Sequence, residues 1–65
     1  MTIGQNVFQR RKAAGLTQPQ LAVYAGLSPT TVCHIERGEA EPTITTLRAL
    51  GKALGCSWIE LAKGD

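Results

Sequence analysis

The sequence predicts an all-α fold, a compact bundle of five helices. Apolar residues recur at helical spacing, and no useful length of the chain alternates with the period of two that a strand requires. Glycines follow the apolar stretches, at the position where a left-handed residue commonly closes a helix. These glycines are Gly15, Gly26, Gly38, Gly55 and Gly64.

The first two helices are predicted over about 3–14 and 18–25, and each begins with a capping box. In this motif a Ser or Thr is followed three residues later by Glu or Gln, and each side chain accepts a hydrogen bond from the other residue's backbone N–H. The pairs are Thr2 with Gln5 and Thr17 with Gln20.

The other three helices are predicted over about 29–37, 44–54 and 58–63. The third begins with Ser28 as its cap and Pro29 at the first helical position, where a missing N–H costs nothing. Thr43 can cap the fourth helix. The fifth begins at Ser57, which fits a capping box with Glu60. The apolar residues that can form one small core are Ile3, Val7, Phe8, Leu16, Leu21, Ala22, Ala25, Leu27, Val32, Ile35, Ile44, Leu47, Leu50, Leu54 and Leu61.

Length and composition exclude several classes of protein. A chain of 65 residues has room for one small domain, predicted to span residues 1–65, and not for a multidomain enzyme. Its 43% hydrophobic and 18% charged residues are typical of a soluble globular protein. No apolar run approaches the ~20 residues of a membrane span, and no secretion signal is recognisable. Because the chain has only two cysteines, we expect a cytoplasmic protein with reduced thiols.

The charged residues are unevenly distributed. Residues 1–38 hold four basic residues and one acidic residue, whereas residues 39–65 hold three basic and four acidic residues. The net charge of the whole chain is only +2. A basic N-terminal half suits a polyanionic partner, although ordinary surface charge would give the same asymmetry.

The reactive side chains argue against catalysis and against a bound metal or cofactor. Cys33 and His34 are neighbours, so on a helix their side chains diverge by about 100° and do not form the hydrogen bond that activates a thiol. The sequence has no paired carboxylates and no phosphate-binding glycine loop. Cys33, His34 and Cys56 lack the spacing of a structural zinc site and are one ligand short of it.

Helices two and three carry the functional argument. The tight turn Gly26-Leu27-Ser28 joins them, which is typical of a helix-turn-helix unit but also of a plain corner between two helices. On helix three, Val32 and Ile35 share one side and can hold the helix on the domain. The opposite side carries small, polar or basic residues and no carboxylate, as entry into the major groove of DNA requires. The residues of this side are Pro29, Thr30, Cys33, His34 and Arg37.

A longer pattern runs through residues 16–54 and continues in residues 56–61. Its members are Leu16, Thr17, Gln18, Leu21, Ala22, Gly26, Leu27, Ser28, Val32, Ile35, Glu36, Arg37, Gly38, Pro42 and Leu47. This pattern resembles the helix-turn-helix domains of the Cro and phage-repressor type, the XRE-like family. The resemblance implies a five-helix domain of the lambda-repressor-like type whose third helix reads the major groove of double-stranded DNA. It also implies a regulator of transcription, a repressor that binds a palindromic operator as a homodimer without a cofactor or small-molecule effector.

The resemblance further implies roles for individual residues. Thr30 and His34 occupy the positions that contact base edges, while Arg37, at the helix end, would contact the DNA backbone. Gln18 and Thr43 lie at the starts of helices two and four, at two positions that grip phosphates. The full predicted DNA-binding set is Thr17, Gln18, Ser28, Pro29, Thr30, Cys33, His34, Arg37 and Thr43. Arg11 and Glu36 are left out of this set because the resemblance implies that they form an ion pair between helices one and three.

Two alternatives stay open. Pro29 stands where the family often has a side chain that reads bases, and the loop Glu39-Ala40-Glu41 is acidic, so the other candidate function is a protein-interaction module with weak or no DNA binding. Trp58 and Ile59 are adjacent on helix five and cannot both be fully buried in a small core. Either they form a homodimer contact, or Trp58 covers the core and Ile59 is a single exposed apolar residue.

Overall fold

The computed structural model describes residues 2–63, and within them the chain forms five helices around one core. The helices are α1 (Ile3–Ala13), α2 (Gln18–Ala25), α3 (Pro29–Glu36), α4 (Ile44–Leu54) and α5 (Trp58–Ala62). The predicted all-α fold is therefore confirmed, with the first, third and fifth helices one residue shorter than predicted. None of the described helices has the length and apolar character needed to cross a membrane.

Two of the three predicted capping boxes are present. Both hydrogen bonds of the box form at Thr2 and at Thr17. The predicted box at Ser57 is wrong, because the Ser57 hydroxyl accepts a hydrogen bond from the backbone N–H of Ile59 at 3.2 Å instead. The Glu60 carboxylate has a charged partner on α1, the Arg10 guanidinium at 2.7 Å, and a charge-assisted bond is stronger than one to a neutral N–H.

The turn between α2 and α3 depends on Gly26. Its φ of +71° lies in the left-handed region that side chains rarely adopt, and the backbone N–H of Leu27 donates to the carbonyl of Ala22 at 2.8 Å. This closure ends α2 and lets α3 begin only three residues later. The predicted helix ends at Gly15, Gly38 and Gly55 also have positive φ, and Gly64 lies outside the described residues.

The core contains most of the predicted residues. Its buried members are Val7, Leu21, Ala22, Val32, Ile35, Leu47, Leu50 and Leu61. Around them pack the partly buried residues Ile3, Leu16, Ala25, Leu27, Ala53, Leu54, Cys56, Trp58 and Ala62.

Two predicted core residues, Phe8 and Ile44, are exposed at 44% and 55%. On α1 the inward face is taken by Gly4, Val7 and Arg11, and the Phe8 ring lies outside it, with the Arg11 guanidinium over its face at 5.3 Å. Ile44 is the first residue of α4 and precedes the turn that contributes the buried Leu47. Helical spacing alone therefore predicts which side of each helix is buried, but not which apolar residues at the boundary of that side are exposed.

Two glycines inside helices allow backbones to come close together. A Cβ on Gly4 of α1 would lie 2.8 Å from the carbonyl oxygen of Glu36, and a Cβ on Gly51 of α4 would lie 2.7 Å from the carbonyl oxygen of Cys56. Both distances are shorter than real Cβ contacts, so the contacts of α1 with α3 and of α4 with the start of α5 require glycine at these positions.

Hydrogen bonds attach α5 to α1. The Asn6 amide donates to the backbone carbonyls of Leu61 at 3.0 Å and of Lys63 at 2.6 Å. Lys63 is the C-cap of α5. These carbonyls have no partner within the helix, so Asn6 satisfies groups that a short helix leaves free. Asn6 therefore holds the C-terminal end of α5 against the first helix.

Candidate nucleic-acid interface

Helices α2 and α3 form a helix-turn-helix whose second helix is anchored on one side only. Val32 and Ile35 of α3 are buried in the core, together with Leu21 and Ala22 of α2. The opposite side of α3 faces solvent, as the sequence predicts.

The exposed face of α3 brings together most of the predicted DNA-binding residues. Thr30, His34 and Arg37 lie on it and are exposed, as is Pro29. Cys33 is only half-buried and lies one turn before Arg37. The pKa of Arg37 is raised above its ordinary value. The larger cause is a hydrogen bond with the Cys33 side chain, and the next is the negative charge of the nearby Glu39 carboxylate. The guanidinium carries its positive charge at every pH at which proteins are stable.

One acidic residue of the loop after α3 also lies beside this face. The Glu39 carboxylate is 3.3 Å from Nη2 of Arg37 and 3.9 Å from Nε2 of His34. The helix itself carries no carboxylate on its outer side, but in the folded domain Glu39 of the loop after it lies beside that side. Glu39 follows the helix and returns to it through the turn at Gly38, which is why helical spacing does not reveal it.

Ser28 and Thr17 belong to the predicted DNA-binding set, and in the structure their side chains cap helices. The Ser28 hydroxyl accepts from the backbone N–H of Thr31 at 3.1 Å and shares a hydrogen bond with the Thr31 hydroxyl at 2.9 Å. The Thr17 hydroxyl accepts from the backbone N–H of Gln20 at 3.2 Å. Both residues are exposed at helix N-termini, where the free N–H groups and the helix dipole favour an anion.

The N-terminus of α2 lies beside an open cleft of about 400 Å³. The residues that line it are Arg11, Lys12, Gly15, Leu16, Thr17, Gln18 and Pro19. Gln18 is half-buried, and its amide nitrogen donates to Oε1 of Glu36 at 3.0 Å. The cleft therefore combines the exposed basic side chain of Lys12 with a helix N-terminus, an arrangement that suits a phosphate, while Arg11 is buried against Glu36.

A network of buried hydrogen bonds sets the orientation of α3. The Arg11 guanidinium donates to both oxygens of Glu36, at 2.6 Å and 3.1 Å, and to the carbonyl of Leu16 at 2.8 Å. Glu36 also accepts from Gln18. Among the residues that the structure describes, every buried side-chain nitrogen and oxygen has a hydrogen-bond partner. The network joins α1, the loop after it, the start of α2 and the end of α3.

The remaining predicted residues lie at the starts of α4 and α5. Thr43 is exposed and caps α4, accepting from the backbone N–H of Thr46 at 3.2 Å and donating to the Thr46 hydroxyl at 3.1 Å.

On α5, Trp58 is half-buried against the core, while Ile59 is 56% exposed. The structure thus places Trp58 over the core and leaves Ile59 at the surface.

Known proteins resemble this chain in sequence and in fold. The helix-turn-helix family model matches residues 7–61. The chain is 39% identical over 59 residues to an uncharacterised HTH-type transcriptional regulator, y4dJ, of Sinorhizobium fredii, covering 91% of this chain and 77% of that protein. It is 44% identical over 65 residues to the HTH-type transcriptional regulator DicA of Escherichia coli, covering 100% of this chain but only 48% of DicA.

Among solved structures, the fold matches the P22 c2 repressor in complex with a synthetic operator. The TM-score is 0.92 at 38% sequence identity, and the match covers 100% of this chain and 98% of that chain. The curated repressor protein C2 of Salmonella phage P22 is longer, and this chain spans 29% of it. The chain has the lambda-repressor-like fold and belongs to the XRE family of helix-turn-helix DNA-binding transcriptional regulators.

Proposed function

We propose that this protein represses transcription by binding a specific double-stranded DNA sequence with α3 in the major groove, and that residues 1–65 act as one DNA-binding domain. The observation that carries this proposal is the division of α3 into two sides. Val32 and Ile35 anchor it in the core, while Thr30 and His34 are exposed on the opposite side. A helix held in this way can enter the groove without disturbing the fold.

Thr30 and His34 are the residues we assign to base recognition. The Thr30 hydroxyl can bond several bases and its methyl group can contact thymine, while a His34 nitrogen can donate to a guanine acceptor. Arg37 lies at the end of the helix and is assigned to the DNA backbone. Pro29 and Cys33 complete the surface that approaches the groove.

Phosphate contacts are assigned to the N-termini of three helices. Thr17 and Gln18 begin α2 beside the basic cleft, Ser28 begins α3, and Thr43 begins α4. Helix N-termini attract phosphates through free N–H groups and the helix dipole. The hydrogen bond from Gln18 to Glu36 uses one of the two amide protons, so the other can reach a phosphate oxygen.

Tight binding requires a second copy of the domain. The net charge of +2 is small for a DNA-binding chain, and the loop after α3 is acidic. We propose a homodimer that binds a palindromic operator in the cytoplasm and blocks access to a promoter. The operator complex of the P22 c2 repressor supports this proposal by likeness of fold and sequence. Ile59, exposed beside the core-packed Trp58, is assigned to the dimer contact.

Selection of bound sites from random DNA, followed by fluorescence anisotropy, tests the proposal. The protein should bind selected duplexes, and the logarithm of its affinity should fall with the logarithm of salt concentration by about 0.9 for each phosphate neutralised. Enrichment of no sequence, or an affinity that does not depend on salt, would contradict it.

The alternative, a protein-interaction module, is favoured by one observation. The Glu39 carboxylate pairs with Arg37 of the α3 face, which lowers the positive charge available to DNA. Under this alternative, the protein would show no salt-dependent binding to any selected duplex, and a protein partner would protect α3 from chemical modification.

A further inference from the structure

The turn after α3 places a carboxylate beside Arg37, the cation that we assign to the DNA backbone. Gly38, with φ of +77°, lets the chain reverse, and the backbone N–H of Glu39 then donates to the carbonyl of His34 at 2.9 Å. The N–H of Gly38 donates to the carbonyl of Ile35 at 3.1 Å. These two bonds form a Schellman motif, which fixes the backbone of Glu39 beside the last turn of the helix. The position of Glu39 is therefore part of how α3 ends.

The side chain of Glu39 pairs with the guanidinium of Arg37 and lies near the imidazole of His34. One carboxylate oxygen is 3.3 Å from Arg37 and the other is 3.9 Å from His34. A carboxylate beside a guanidinium has the charge and geometry of a phosphate oxygen, so both compete for the same donors. All three side chains are well exposed, and exposed ion pairs are weak enough for a stronger anion to displace.

We propose that Glu39 is an internal competitor of DNA phosphate, which must be displaced from Arg37 when the duplex binds. This inference rests on the proposed function. It makes Arg37 less available to DNA of any sequence, so that binding depends more strongly on the base contacts of α3. Glu39 thereby sets the balance between specific and non-specific binding.

The variant Glu39→Gln tests the competition directly, and Glu41→Gln is its matched control. Both substitutions remove one negative charge from the same exposed loop, but within residues 2–63 no ion pair joins Glu41 to Arg37 or His34. At about 50 mM salt, Glu39→Gln should bind DNA about 3- to 10-fold more tightly for each domain copy, and Glu41→Gln less than about 2-fold. The gain should be larger for unselected DNA than for the selected site and should shrink at about 200 mM salt.

A double-mutant cycle separates competition from simple repulsion. If Glu39 acts by occupying Arg37, the gain from Glu39→Gln should be smaller in an Arg37→Gln background than in the wild type. Equal gains in the two backgrounds would show long-range repulsion only and would overturn the inference. Thermal unfolding of each variant checks that the fold is retained, which we expect because the Schellman bonds use only the backbone of residue 39.

The result also distinguishes this inference from the proposed function. If the wild type binds selected DNA in a salt-dependent way but Glu39→Gln binds no more tightly, the competition is wrong and the DNA-binding proposal stands. If neither protein binds any duplex, both proposals are overturned.

Discussion

Arg11 of α1 and Glu36 of α3 form a two-pronged ion pair, with only 9% and 4% of their side chains exposed. The Nε–Oε2 and Nη2–Oε1 distances are 2.6 Å and 3.1 Å, and the third donor of the guanidinium bonds the carbonyl of Leu16. Because Glu36 is the last residue of α3, this pair determines how the helix projects from the domain.

Removing one partner of this pair should destabilise the fold. We expect Glu36→Gln to lower the free energy of unfolding by about 3–5 kcal/mol, because it leaves the Arg11 charge buried without a counterion. Urea denaturation followed by circular dichroism measures the loss. The double variant Arg11→Met with Glu36→Leu should lose much less than the two single variants combined, and strict additivity would contradict this account.

Gly4→Ala and Gly51→Ala should destabilise the protein, which is the reverse of the usual effect. Replacing glycine by alanine inside a helix normally stabilises by about 1 kcal/mol. Here the new Cβ would meet a backbone carbonyl, so we expect each variant to lose about 1–3 kcal/mol of unfolding free energy. Thr45→Ala, at an exposed position of α4, is the control and should change stability by less than about 0.5 kcal/mol. A gain in thermal stability at Gly4 or Gly51 would refute the close approach.

Substitution of Thr30 or His34 should change which sequences the protein prefers. Each good base contact discriminates by about 1–3 kcal/mol, so Thr30→Ala and His34→Ala should relax preference at separate positions of the selected site. Gln18→Ala should instead weaken all sites by a similar factor, because a phosphate contact carries no sequence information. Repeating the site selection with each variant measures this difference. Identical selected sequences for the wild type and both α3 variants would rule out base recognition by these residues.

Ile59→Lys should weaken self-association without unfolding the domain. The side chain is largely exposed, so the substitution removes little core packing but places a charge at the proposed contact between copies. Sedimentation velocity over a range of concentrations should show a shift towards monomer. Val23→Lys, at another exposed apolar position on α2, is the matched control and should leave the association unchanged. If both variants associate as the wild type does, Ile59 is not part of the interface.

The local features of the fold could be predicted from the sequence because they depend on neighbouring residues. Helix starts at Thr2 and Thr17 and the turn at Gly26 each involve partners within a few positions. The failures involve partners that are distant in the chain. The sequence predicts a local capping box for Glu60, but in the structure its carboxylate accepts from the guanidinium of Arg10, fifty positions away.

At the candidate site the limit is the backbone turn and not distance along the chain. Helical spacing indicates that Thr30 and His34 share the outer side of α3, because that depends only on the helix. The position of Glu39 beside Arg37 and His34 depends on the turn after the helix. Gly38 signals that turn, but the direction of the next side chain requires the three-dimensional structure. The role of Gly4 is likewise invisible in sequence, because it meets the backbone of Ile35 and Glu36 in another helix. Gly51 meets the backbone of Cys56 and Trp58 nearby in the chain, but only because of how the turn after α4 is built.

The one-sided anchoring of α3 also has an evolutionary consequence. Folding depends on Val32, Ile35 and Glu36, whereas Thr30 and His34 contribute no buried packing. Mutations at the two exposed positions can therefore accumulate at little thermodynamic cost, and under the proposed function a lineage would acquire new target genes while keeping an unaltered scaffold.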